Sequence, residues 1–319
     1  DKMQLEAATN YLAPVRLTQL LLAELEHNKP SAIINITTIA VQLPISIMPG
    51  YSASKAALSS FTRSLRLQLA GSAIRVFEVL PPPVDTDMVK MFNIGKLDPN
   101  KLAGAMLAHD NTVIIAGRDP EKLAGAAERY PALHTFRADI TRADDLQALV
   151  KHLREHFPGL NMLVNNAGAA CITDIRTDAA AYDKMQLEAA TNYLAPVRLT
   201  QLLLAELERN KPSAIINITT IAVQLPISIM PGYSASKAAL SSFTRSLRLQ
   251  LAEPAIRVFE VLPPPVDTDM VKMFRIHKLD PARLAEAMLA GLAKDRLVMP
   301  IGTARPLLWL ARLAPRMLE

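Results

Sequence analysis

An α/β fold on a doubly wound parallel sheet is what the sequence predicts, and three observations carry the prediction. Short apolar runs alternate with segments whose apolar residues recur at helical spacing, the order expected of βαβ units. The runs "SAIINITT" and "AIRVFEVL" are continuous rather than alternating, as in strands buried on both faces. The chain also repeats itself. Residues 1–108 align with 183–290 with eight mismatches: His27/Arg209, Gly71/Glu253, Ser72/Pro254, Asn93/Arg275, Gly95/His277, Asn100/Ala282, Lys101/Arg283 and Gly104/Glu286. One large domain fragment has been copied once, so the sheet is expected to be rearranged by a partial duplication. Solenoid repeats are shorter and more numerous.

Each copy reads helix, strand, helix, strand, helix. "MQLEAATNYLAPVRLTQLLLAELE" is amphipathic at helical spacing, and "YSASKAALSSFTRSLRLQLA", beginning at Tyr51 and again at Tyr233, is helical between the two strands. In the unrepeated middle, "NTVIIAG" (111–117) reads as a strand, "DPEKLAGAAERY" as a capped helix and "LHTFRAD" as a strand. "ADDLQALVKHLREHF" then reads as a helix and "LNMLVNNAG" as a strand. "RLVMP" and an Arg-dotted apolar tail follow the second copy.

Bulk properties exclude several classes. At 319 residues, half of them apolar, the chain can bury a sizeable core. The single cysteine, Cys171, allows no internal disulfide and fits a reducing, cytoplasmic setting; no metal-binding cluster is expected. The net charge of +5 is scattered and aromatics are only 5%, which argues against a nucleic-acid partner. Residues 212–236 carry no charge over a length that could cross a bilayer. Asn217, Pro226, Pro231, Gly232 and paired threonines interrupt that run, so it reads as a buried strand and a loop rather than a membrane span. The chain opens on Asp1 rather than Met, which reads as a fragment or a trimmed chain.

Chemistry concentrates in the second half. "NNAG" spans Asn165 to Gly168, an asparagine stands at Asn192, and Thr220 lies thirteen positions before a Tyr-x-x-x-Lys pair, Tyr233 and Lys237. Residues four apart on a helix share a face, so Lys237 is expected beside the Tyr233 phenol, lowering its pKa from about 10 toward a range useful for proton transfer. From about residue 110 onward the chain resembles a short-chain dehydrogenase/reductase without its first strand and helix. The resemblance implies a Rossmann-like NAD(P)-dependent oxidoreductase. Hydride would pass between a nicotinamide and a small carbonyl or alcohol substrate, with Tyr233 as general acid/base. It also implies that Thr220, in place of the family's usual serine, bonds the substrate oxygen and that Asn192 supports a water-linked proton path from Lys237.

For the cofactor, the resemblance implies NADP, with NAD possible. Arg118 stands where the family places a cation for the 2′-phosphate, although Asp119 follows it directly. Asp139 and Ile140 match the pair that contacts adenine, Asn166, Ala167 and Gly168 match the loop beside the ribose, and Thr268 matches a threonine near the nicotinamide amide. Pro264 replaces the glycine expected nearby and removes a backbone donor. The methionines of 270–289, where the family places a substrate loop, suggest an adaptable apolar pocket or simple helix packing. None of the eleven glycines forms the family's T-G-x-x-x-G-x-G turn, which cradles the pyrophosphate.

The missing strand would lie at the sheet centre in the family's order, 3-2-1-4-5-6-7, and its neighbours would each bare backbone groups at about 1–3 kcal/mol apiece. Residues 74–80, with the helix "DPNKLAGAMLA" after them, are the expected replacement, between the strands at 111–117 and 161–165. The prolines and aspartates of "PPPVDTD" (81–87) would then make cofactor binding weak. Residues 1–107 are therefore read as a partial, catalytically idle duplicate that repeats Asn10, Thr38, Tyr51 and Lys55, and 108–319 as the main oxidoreductase unit. A rival reading is a non-catalytic dimerisation or interaction module, because the helices bearing Asn and Tyr-Lys are those this family uses to dimerise. The chain would then be a homo-oligomer or an internal pseudo-dimer. The tail "ARPLLWLARLAPRMLE" is expected to pack on the substrate side of the domain.

Overall fold

The computed structural model describes residues 2–28, 31–38, 41, 48–79, 99–108, 110–223, 226–252, 256–263, 281–302 and 304. In the first copy, α1 (Lys2–Ala7), a π-helical turn (Ala8–Leu12) and α2 (Ala13–His27) lead to β1 (Ser31–Ile36), α3 (Pro49–Gln68) and β2 (Ile74–Val79). Then come α4 (Pro99–Leu107), β3 (Ile114–Gly117), α5 (Pro120–Arg129), β4 (His134–Arg137), α6 (Ala143–His156) and β5 (Met162–Asn165). The second copy supplies α7 (Ala181–Ala189), a π-helical turn (Ala190–Leu194), α8 (Ala195–Arg209), β6 (Ser213–Ile218), α9 (Pro231–Gln250), β7 (Ile256–Leu262) and α10 (Pro281–Leu292), and β8 (Val298–Pro300) follows. The uncharged run at 212–236 is thus a strand, a loop and the start of α9, and no helix among the described residues is long and apolar enough to cross a membrane.

All strand pairs among the described residues are parallel. They form three sheets, β1-β2, β3-β4 and β5-β6-β7-β8. The expectation that residues 74–80 fill the gap between β3 and β5 is overturned: β2 pairs with β1, from Ser31 opposite Ile74 to Ile36 opposite Val79. This is the register of β6 on β7, Ser213 opposite Ile256 to Ile218 opposite Val261. The reason is local. A strand, α3 and a parallel strand form a complete βαβ unit, so β2 satisfies its backbone without reaching into a distant sheet. A cavity of about 560 Å³ instead lies between β3 and β5, lined by residues 112–116 of one edge and 161–167 of the other.

The helix after β2 does join the main unit. Ala103 and Met106 of α4 share one apolar cluster with Val113, Leu284, Ala285 and Met288. The mismatch Gly104/Glu286 has its reason here, because a Cβ at Gly104 would lie 2.7 Å from the Tyr130 ring, whereas Glu286 faces solvent. Met288 is a core residue, which favours the helix-packing account of the 270–289 methionines in this part. Residues 81–87, 264–280 and 305–319, which carry the proline-rich turn, the start of the substrate loop and the tail, lie outside the described residues.

The two copies pack on each other through their identical helices, α3 against α9. Ala53, Ala57, Phe61 and Leu65 recur every fourth residue and enter one core with Ala235, Ala239, Phe243 and Leu247. The alanines let the helix axes approach, and the aromatics close the layer. Tyr11 meets Phe61 edge-on with ring centroids 6.5 Å apart, and Tyr193 meets Phe243 at the same 6.5 Å. Because this core is continuous across both copies, Phe61→Ala is expected to lower the unfolding free energy of the whole chain by about 3–5 kcal/mol. Urea denaturation followed by two probes should give one shifted transition; two separable transitions would show that the copies fold independently.

Candidate functional site

Asn192 is the hub of the site. It sits fully buried in the π-helical turn between α7 and α8, a wide turn of a kind frequent at functional sites. Its Oδ1 accepts the Ala169 N–H at 2.7 Å, and its Nδ2 donates to the Ala169 carbonyl at 2.8 Å and to Ser236 Oγ at 2.9 Å. One amide therefore ties the loop that follows "NNAG" to the turn of α9 that carries Tyr233 and Lys237. A second buried relay runs beneath it. Asn165 Nδ2 donates to Asn217 Oδ1 at 2.8 Å and Asn217 Nδ2 to Thr244 Oγ1 at 2.8 Å, joining β5, β6 and α9.

Tyr233, Lys237 and Thr220 are all buried at the end of β6 and the start of α9. Lys237 Nζ donates to the Ile218 carbonyl. The expected lowering of the Tyr233 pKa is overturned: burial, with a smaller contribution from the Glu188 carboxylate, pushes it above the ordinary tyrosine value. In the free protein the cost of ionising a phenol without solvent outweighs a lysine that spends a hydrogen bond on a backbone carbonyl.

Glu188 is a residue that sequence reasoning missed. It is fully buried on α7 and accepts the Cys171 N–H at 2.7 Å, and it stands under the first turn of α9. A Cβ at Gly232 would come 3.0 Å from the Met185 backbone, so only glycine lets α9 approach α7 this closely. Within "QLEAATNY" a glutamate has no mark to separate it from an exposed helix acid.

The cofactor candidates are split. Ile140, Asn166 and Ala167 line the cavity between β3 and β5, and Gly168 continues that loop. Arg118 is exposed at the end of β3 and contributes to holding the Asp139 carboxyl below its ordinary range. The larger cause is Thr141, whose hydroxyl (2.7 Å) and N–H (2.9 Å) both donate to Asp139. Asp119 caps α5, accepting from the Glu121 and Lys122 N–H groups at 3.1 Å, so it is engaged with the helix rather than offered to a ribose. Thr268 and Pro264 lie outside the described residues. The cavity does not reach Thr220, Tyr233 or Lys237.

The first copy repeats only part of this. Asn10 Nδ2 donates to Ser54 Oγ at 3.1 Å and Lys55 Nζ to the Ile36 carbonyl at 2.8 Å, the counterparts of two bonds above. The two bonds to Ala169 belong to the second copy, because that loop lies in the unrepeated middle of the chain. Burial pushes Tyr51 up to about 12 and Lys55 down, and the Lys55 ammonium lies 5.8 Å from the Tyr51 ring centroid.

The family model for short chain dehydrogenase matches residues 1–96 and 100–278. The chain belongs to the short-chain dehydrogenase family. A Bacillus subtilis relative, the uncharacterized oxidoreductase DltE, is 36% identical over 172 residues, covering 53% of this chain and 68% of the relative. A short-chain dehydrogenase of Burkholderia cenocepacia solved in complex with NADP superposes with a TM-score of 0.61 at 26% identity, over 68% of this chain and 89% of its own. One from Streptomyces avermitilis has the same TM-score, 0.61, at 22% identity over 68% and 88% of the two chains, and shows the shared fold. The short-chain dehydrogenase family to which the chain belongs is one of oxidoreductases with a Rossmann-like α/β fold.

The raised tyrosine pKa fixes a pH dependence. Between about pH 10, where an unfolded tyrosine ionises, and the higher folded value, the unfolded chain has lost a proton that the folded one keeps. Stability is therefore fully present below pH 10 and falls above it, by about 1.4 kcal/mol per pH unit for each such group. Denaturation at stepped alkaline pH should show a shallower decline in Tyr233→Phe than in the parent; an unchanged slope would place that phenol in solvent.

Proposed function

We propose that residues 108–319 form an NADP-dependent oxidoreductase that reduces a carbonyl to an alcohol, or runs the reverse, and that residues 1–107 are a catalytically idle duplicate. The observation that carries this is the Asn192 bridge, which couples the "NNAG" loop to the Tyr-Lys turn only in the second copy. NADP bound at this site supplies or accepts the hydride. Arg118 would hold the 2′-phosphate, with Asp139 and Ile140 against adenine, Asn166, Ala167 and Gly168 beside the ribose, and Thr268 toward the nicotinamide amide. The exposed guanidinium of Arg118 and the capping duty of Asp119 favour NADP over NAD.

The protein's own chemistry is proton delivery. Tyr233 would protonate the carbonyl oxygen as hydride reaches its carbon; burial in the free protein makes its phenol a weaker acid than one in water, so the step calls for a bound state that brings that pKa back down. Thr220 donates or accepts a hydrogen bond at the same oxygen, although its extra methyl stiffens the side chain and narrows the pocket. Lys237 and Asn192 hold the turn in place, and Asn192 serves the proton path that refills Tyr233. The lack of a glycine-rich turn anywhere in the sequence favours modest cofactor affinity, since the diphosphate has no such row of amides to rest on.

The packing of α3 on α9 gives weight to the second reading, an interaction module in which the first copy takes the place of a partner subunit as an internal pseudo-dimer. A cytoplasmic setting belongs to the same proposal. In an NADPH-dependent carbonyl reduction assay, Tyr233→Phe is expected to cost about 10²–10⁴-fold in rate and Tyr51→Phe nothing. Equal losses from both substitutions would reject the one-site reading, and no turnover with any carbonyl panel would favour the module.

A further inference from the structure

One glutamine of the first copy is spent on the second. Gln68, the last residue of α3, donates from Nε2 to carbonyls of two separate segments, Thr173 at 2.8 Å and Ser228 at 2.7 Å, and its Oε1 accepts the Ile175 N–H at 3.2 Å. Both amide protons and the amide oxygen are thereby engaged. A direct bond joins the same two segments, from the Thr173 N–H to the Ile229 carbonyl at 2.9 Å. Arg63, also on α3, donates from Nη2 to the Val223 carbonyl at 3.3 Å. Val41 and Ala56 of the first copy share an apolar cluster with Val223, Met230 and Tyr233, and Ala170 and Ile227, one from each segment, pack against it. Both segments belong to the candidate site. In the first, which continues from the "NNAG" loop, every second residue is held: Ala169 by Asn192, Cys171 by Glu188, and Thr173 and Ile175 by Gln68. The second, 221–230, joins Thr220 to the first turn of α9, where Tyr233 stands.

We propose that Gln68 is a positioning residue of the second copy's site: it clasps the segment after the "NNAG" loop to the segment before Tyr233 and so holds the walls against which the carbonyl substrate binds. The inference rests on the oxidoreductase reading for what the site does. All three partners of Gln68 are main-chain groups, so the clasp fixes where the backbone runs rather than any reacting atom. Walls already in place spare the substrate the cost of ordering them, and that contribution is made equally to the bound substrate and to the transition state. Its loss therefore falls on KM and leaves kcat in place. The side chain must be an amide. Glutamate of the same shape would set acceptor oxygens against two carbonyls, and methionine would offer no donor.

The test pairs two readouts on the full chain. In NADPH-dependent reduction, Gln68→Met is expected to raise KM for the carbonyl substrate about tenfold, with kcat and the KM for NADPH within about twofold of the parent. Backbone hydrogen exchange across 171–176 should quicken about tenfold in the same variant, because the Ile175 N–H loses its acceptor and the Thr173 N–H loses the clasp beside it. Gln250→Met, the same change at the end of α9, should move neither quantity. Gln68→Glu keeps the size of the side chain and can still accept from Ile175 but cannot donate; it should reproduce the rise in KM, and it carries the test if the methionine variant does not fold. Unchanged exchange in the Gln68 variants, faster exchange with an unchanged KM, or equal effects from Gln250→Met would each overturn the proposal. A parent chain that turns over no carbonyl would reject the oxidoreductase reading instead, and exchange would still decide whether Gln68 clasps the two segments.

Discussion

Two identical twenty-residue helices packed on each other hold this molecule together. The α3–α9 contact depends on two alanines one turn apart on each helix, Ala53 and Ala57 against Ala235 and Ala239, while Gly50 and Gly232 let the same two helices close on α1 and α7. Beside that contact, the π-helical turns and the helices before them carry charge effects from each copy to the other. Glu188 of the second copy adds to the burial that raises Tyr11 of the first, and Glu6 of the first does the same to Tyr193 of the second. The helix bearing Tyr233 is thus braced from behind by the first copy.

One sequence with two surroundings gives a direct comparison of what context does. "SAIINI" is almost wholly buried as β6 and half open as β1, where Ile34 and Ile36 face outward. The difference is not propensity, which is identical, but the neighbours available. In the second copy Ile216, Ile218, Phe259 and Val261 share a cluster with α10 and with α4. In the first copy the helix equivalent to α10 is α4 itself, which has left its own sheet for the main unit, where Gly104 lets it approach Tyr130. Phe77 and Val79 are left exposed as a consequence.

Much of this was legible in the residues. The alternation of elements, the buried character of β6 and β7, the cap at Asp119 and the spacing of "NNAG", Asn192, Thr220, Tyr233 and Lys237 all leave local signatures. The place of β2 was not legible, because an apolar strand fits any parallel sheet and only the competition between β1 and a distant gap decides it. Nor was the direction of the Tyr233 shift, which turns on burial and on Glu188, a residue 45 positions away in the chain. The π-helical turns that carry Asn10 and Asn192 share the apolar spacing of an ordinary helix and show only in the backbone.

The central claim is that duplication of the Tyr-Lys turn has not duplicated the site, because the loop from Asn166 to Ala169 occurs once. Calorimetric titration of the whole chain with NADPH measures this directly. One equivalent bound per chain, lost on Arg118→Glu and retained on Lys55→Ala, is the expected result; two equivalents per chain, or one that vanishes with Lys55→Ala, would contradict it.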